Sequence, residues 1–104
     1  MSRFILAPQA ARDIEQIVQY IAKESVNAAL DLEDQLLENF RHLASFPTSG
    51  HTRNDLAGDR DLLFWPTGKY LILYRAKAAE IEIAAVLHPA RDIPKILSQR
   101  EPVQ

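Results

Sequence analysis

Arg75 and His88 are the side chains of this sequence best suited to chemistry on a phosphate, and the residues around them put the two on one face. Tyr70, Ile72 and Tyr74 alternate with Leu71, Leu73 and Arg75. After a polar break, Ile81, Ile83, Ala85 and Leu87 alternate with Glu82, Ala84, Val86 and His88. A guanidinium can neutralise a phosphate as charge builds in the transition state, and an imidazole can carry a proton near neutral pH. Cutting RNA needs a base for the 2′-OH, an acid for the leaving oxygen and a cation, all within hydrogen-bond reach of one phosphodiester. Arg75 and His88 fill only part of that requirement. His88 stands before Pro89 and also reads as a ring that hydrogen-bonds the following turn. Arg91-Asp92 reads either as a recognition pair or as a salt bridge closing that turn.

Other chemistries find little material. Cysteine is absent, which excludes disulfides and thiolate metal ligands, and the three histidines are scattered. Neither a metal nor a cofactor is implied. A net charge of −2 does not suit a domain that grips nucleic acid by its phosphates, so direct sequence-specific binding is not expected. The charge is uneven, however. Residues 1–52 hold four basic and seven acidic side chains, a net of −3, and residues 53–104 hold eight and seven, a net of +1. An anionic partner would meet the second half.

The 104 residues, 47% apolar and 25% charged, describe one globular domain over 1–104. No apolar run approaches the roughly 20 residues of a spanning helix. The opening MSRFILAP is broken by Pro8 too early for a signal peptide, so a cytoplasmic location without membrane contact is expected.

The elements that position the candidate residues follow from periodicity. Phe4-Ile5-Leu6 reads as a brief strand, and Pro8 suits the first turn of a helix. Ile14, Ile17, Val18 and Ile21 mark one helical face, with Asp13 assigned to the polar side. Ser25 or Asn27 can cap a second helix with the stripe Leu36, Leu37, Phe40, Leu43 and Ala44. So short a link makes the helices an antiparallel hairpin. Phe46-Pro47-Thr48-Ser49-Gly50 ends it, and a long loop anchored by Leu56, with Phe46 packing under its start, runs to Gly58. Arg60 to Trp65 forms a strand, Pro66-Thr67-Gly68 a turn, and two further strands complete a three-strand meander. Ile93 to Leu97 forms a helical turn or two, and 98–104 a flexible tail. The fold class is α+β, with the helical hairpin on one face of a mainly antiparallel sheet.

Tyr70, Ile72, Tyr74, Ile81, Ile83, Ala85 and Leu87 make the face expected against the main core. Leu71, Leu73, Ala84 and Val86 lie on the opposite, open face beside Arg75, more apolar than a solvated sheet face should be. A partner is expected to cover it, with Trp65 as an aromatic anchor. The expected partner-binding residues are Trp65, Leu71, Leu73, Arg75, Ala84, Val86 and Arg91. A homodimer burying the same leucines is the competing explanation.

A-x-x-D-I-E-x-I at Ala10 to Ile17, L-A-S-F-P-T-S-G ending the second helix, G-D-R at Gly58 to Arg60, K-Y-L-I-L-Y-R at Lys69 to Arg75 and V-L-H-P-A-R-D at Val86 to Asp92 run through nearly the whole chain. Together they make it resemble the ParE branch of the RelE/ParE toxin superfamily of bacterial type II toxin–antitoxin systems. The resemblance implies a small α+β toxin, neutralised by a ParD-like antitoxin laid across its surface. ParE-like members are associated with poisoning of DNA gyrase, RelE-like members with mRNA cleavage on the ribosome. The tyrosine that RelE-like nucleases often carry after the last strand is missing, since Tyr20, Tyr70 and Tyr74 all come earlier. The expectation is therefore a non-enzymatic gyrase inhibitor. The alternatives are a ribosome-dependent mRNA endonuclease using Arg75 and His88, and a non-toxic binding module of the same fold.

Overall fold

A computed structural model describes residues 3–100. In chain order the elements are β1 (Phe4–Leu6), α1 (Pro8–Ala22), α2 (Val26–Ser45), α3 (Asn54–Ala57), β2 (Leu63–Thr67), β3 (Tyr70–Ala76), β4 (Ile81–Leu87) and α4 (Ile93–Arg100). Pro8 opens α1 at a position where its missing N–H costs nothing. Ser25 caps α2, its hydroxyl accepting the Ala28 N–H at 3.1 Å. The sheet order is β1-β4-β3-β2, so β1 and β2 are the edges. β1 runs parallel to β4 with Ile5 opposite Glu82, and the other pairs are antiparallel. The meander is present, but β2 continues through Pro66 and Thr67 instead of stopping before them. As an edge strand β2 tolerates a residue that cannot donate. The turn shrinks to Gly68-Lys69, and Gly68 takes the positive φ of 56° that such a two-residue hairpin asks of its first residue.

Two apolar layers sandwich the sheet. On one face Ile14, Ile17 and Ile21 of α1 and Leu32, Leu36, Phe40 and Leu43 of α2 pack on Ile72, Tyr74, Ile81, Ile83 and Val86. Leu37, expected in that stripe, is turned off it and 40% exposed. On the other face Leu71, Leu73, Ala85 and Leu87 meet Ala57, Leu62, Phe64, Ile93 and Leu97. The second layer overturns the expected open face, because α3, α4 and the chain around Leu62 cover it. Ser98 to Arg100, expected in the flexible tail, belong to α4; residues 101–104 lie outside those described.

A bulge in β4 reassigns the faces. Leu73 lies opposite Ala85 and Tyr74 opposite Ile83, which leaves Ala84 as an extra residue. The period of two slips by one there. Ile81 and Ile83 face the helical hairpin as expected, whereas Val86 faces it in place of Ala85 and Leu87.

Candidate functional site

The bulge and the strand register take Arg75 away from His88. Arg75 is level with Glu82, whereas His88 follows Leu87, which lies opposite Leu71. At the usual rise per residue of about 3.3 Å, the two stand roughly 15–20 Å apart along the sheet. They do not form one catalytic pair. Arg75 instead approaches Glu82 at 3.6 Å, and Lys77 reaches the same carboxylate at 3.6 Å.

The remaining partner-binding candidates disperse in the same way. Leu71 and Leu73 are core residues of the second layer, and Val86 belongs to the hairpin layer, so none of the three is available as surface. Their burial is intramolecular, which removes the reason for assigning these leucines to a homodimer. Trp65 is half-buried on the hairpin side. Its indole N–H donates to Asn39 Oδ1 at 2.8 Å, and its ring stacks on His42 at 5.3 Å. Phe46, expected beneath the loop start, instead lies against His42 and is 60% exposed. Ala84 and Arg75 do come together. With Ala7, Leu62, Leu97 and Arg100 they line a groove of about 360 Å³ between β4 and the end of α4.

His88 and Arg91 share a second, smaller cleft of about 70 Å³ with Gln16 and Ile17 of α1 and Tyr70 of β3. The His88 ring accepts the Ala90 N–H through Nδ1 at 3.0 Å, so the structural reading of this histidine is observed. Tyr70 meets the ring edge-on at 5.8 Å. Of the two readings of Arg91-Asp92, the salt bridge closing the turn is not formed between these two described residues. Asp92 Oδ1 instead accepts the Lys95 N–H at 3.3 Å in the first turn of α4.

Two polar networks that periodicity could not find hold this arrangement. Asp13, assigned by helical phase to the polar side of α1, is buried: Oδ2 accepts the Val86 N–H at 3.1 Å, and Arg100 grips both carboxylate oxygens at 2.7 and 2.8 Å. Phase places a side chain on a flank, but burial of Asp13 depends on partners 73 and 87 residues away. Tyr74, read correctly as core, also carries a polar task. Its hydroxyl donates to the Pro47 carbonyl at 2.7 Å and accepts the Gly50 N–H at 2.8 Å, tying the loop after α2 to the sheet. Burial pushes its pKa above the ordinary 10.0, because the phenolate would lose hydration there.

Among the described residues, no helix is long and apolar enough to cross a membrane, and no group of three or more His, Cys, Asp or Glu could hold a metal ion.

A four-stranded mixed sheet with a helical hairpin on one face and a short C-terminal helix on the other defines an α+β domain. The family model for the ParE toxin of the type II toxin–antitoxin system, parDE, matches residues 4–93, and the chain belongs to that family. A solved structure described as a chromosomal ParDE TA system from P. aeruginosa shares the fold with a TM-score of 0.66 at 19% identity, over 85% of this chain and 96% of that one. No curated protein matches the chain by sequence.

Proposed function

We propose that this protein is the toxin of a type II pair that acts in the cytoplasm by binding DNA gyrase rather than by cutting RNA, and that a ParD-like antitoxin neutralises it. The observation that carries the non-enzymatic reading is the separation of Arg75 from His88 by the sheet register. A cation roughly 15–20 Å from the proton carrier cannot serve the same phosphodiester. Membership of the ParE family supports the gyrase target through the resemblance that links this branch to gyrase.

The antitoxin surface must exclude Leu71, Leu73 and Val86 and use what remains accessible. Arg75 and Ala84 at the groove and Arg91 at the cleft meet that condition. The outer edge of β1, where Ile5 and Leu6 are 38% and 40% exposed, can pair with an extended segment by backbone hydrogen bonds.

The test uses the purified chain in two assays, gyrase supercoiling and mRNA integrity on translating ribosomes. Lost supercoiling with intact mRNA is the expected result. Cut mRNA with normal supercoiling would make the chain a nuclease. No effect in either assay, with no growth arrest on expression without antitoxin, would make it a non-toxic binding module.

A further inference from the structure

The V-L-H-P-A-R-D segment contains three polar residues, His88, Arg91 and Asp92, and the side chains of two of them have visible structural work. Asp92 accepts a backbone N–H in the first turn of α4, and His88 holds the preceding turn through Nδ1. Arg91 has no such task. Its backbone N–H closes the turn on the His88 carbonyl at 3.1 Å, but its guanidinium is exposed and makes no hydrogen bond or ion pair among the described residues, yet it lines the cleft with His88.

The cleft is rich in donors. A ring nitrogen that accepts a hydrogen bond carries no proton, so neutral His88 holds its proton on Nε2, and Arg91 adds a guanidinium. The carboxylate in the wall is already committed, since Asp13 is gripped by Arg100 and by the Val86 N–H. Ile17 and Val86 supply the apolar part of its wall. A planar two-oxygen acceptor matches the fork of an arginine, and a space of about 70 Å³ suits one small group rather than a chain of nucleotides.

We infer that this cleft binds one carboxylate of the antitoxin, an Asp or Glu side chain or the terminal carboxyl group, with Arg91 as its cation and His88 Nε2 as a second donor. The inference rests on the antitoxin reading above and adds the site and the chemistry of one contact. Because the Arg91 guanidinium makes no hydrogen bond or ion pair among the described residues, and its backbone bond to His88 does not depend on the side chain, its replacement is expected to leave folding intact and isolate binding.

The experiment is calorimetric titration of the cognate antitoxin into wild-type chain, Arg91→Ala and Arg91→Glu, with melting temperatures recorded alongside. Unchanged melting is expected, with about tenfold weaker binding for Arg91→Ala and about a hundredfold for Arg91→Glu, as for truncation and reversal of a charged interface contact. One antitoxin acid replaced by Arg should restore binding to Arg91→Glu and weaken it to wild type. Wild-type affinity in both variants overturns the carboxylate site and leaves the antitoxin reading standing. No binding to wild-type chain overturns both. Inorganic phosphate displacing the antitoxin from wild type, where acetate at equal ionic strength does not, would assign the cleft to a phosphate-bearing ligand and overturn the proposal. Lost gyrase inhibition with full antitoxin affinity in Arg91→Ala would do the same.

Discussion

Arg100 at the end of α4 closes a two-point grip on Asp13 in α1, at 2.7 and 2.8 Å, so the helices on opposite faces of the sheet are joined by one ion pair. Asp13 also takes the Val86 N–H, so the pair fastens β4 as well.

Breaking that grip from the arginine side should be expensive. Arg100→Ala leaves the Asp13 carboxylate buried with a single backbone donor, and a loss of about 2–4 kcal/mol of unfolding free energy is expected. Urea denaturation measures it. Arg100→Lys should recover only part, because an ammonium cannot reproduce the two-point contact. A change under about 0.5 kcal/mol for Arg100→Ala, the range of ordinary surface substitutions, would show that the pair does not bind the layers together.

Gly50 is required by space. A Cβ built there would lie 2.6 Å from the Tyr74 hydroxyl oxygen and 2.8 Å from its Cε1. Gly50→Ala must therefore push the ring out of its packed place, costing about 2–3 kcal/mol through overpacking and loss of the hydroxyl contacts. Tyr74→Phe keeps the packing and loses only the hydroxyl, for about 1–2 kcal/mol. If Gly50→Ala proves milder in the Tyr74→Phe background than alone, the two residues interact as described.

Tyr74 also predicts an alkaline weakness. Its pKa is raised in the folded state, so above about pH 10 the unfolded chain releases this proton first and binds fewer protons than the native one. Stability from this group is therefore full below the ordinary value and falls as pH rises towards the folded pKa. Ultraviolet titration should show one of the three tyrosines ionising late. Tyr74→Phe should flatten part of the alkaline decline in stability, and an unchanged decline would deny Tyr74 this role.

Removing the cover of the second layer should expose it. A chain ending at Asp92 lacks Ile93 and Leu97, leaving Leu71, Leu73 and Leu87 without the helix packed over them. Strong binding of a hydrophobic dye and loss of cooperative melting are expected. Native-like melting without dye binding would make α4 an accessory. Leu73→Asp should fail in the same manner, as a folding defect, because Leu73 is fully buried.

Much of the architecture was legible wherever one period governed a segment. Ile14, Ile17 and Ile21, or Leu36, Phe40 and Leu43, define their helical faces without outside information, and the meander follows from alternation and turn residues. Legibility stopped at Ala84. Two adjacent alanines give no sign of which one bulges, and that choice decided the faces of Val86 and Leu87 and the company of His88. The candidate site suffered most, because it was read as one continuous face. Tyr70 beside His88 illustrates the loss: eighteen positions apart in sequence, the rings meet because Leu71 lies opposite Leu87.

β4 pairs on both sides, with β3 along one edge and β1 along the other. That placement has a consequence for synthesis. When the ribosome has made β1, α1 and α2, the apolar stripes of the hairpin exist but the sheet they must lie on does not, and β1 has no neighbour until β4 emerges. The early chain is an amphipathic hairpin with its core face turned to solvent, and contacts spanning 73 and 87 residues are slow to close. A message truncated before β4 therefore yields an aggregation-prone product rather than a weakened form of the protein.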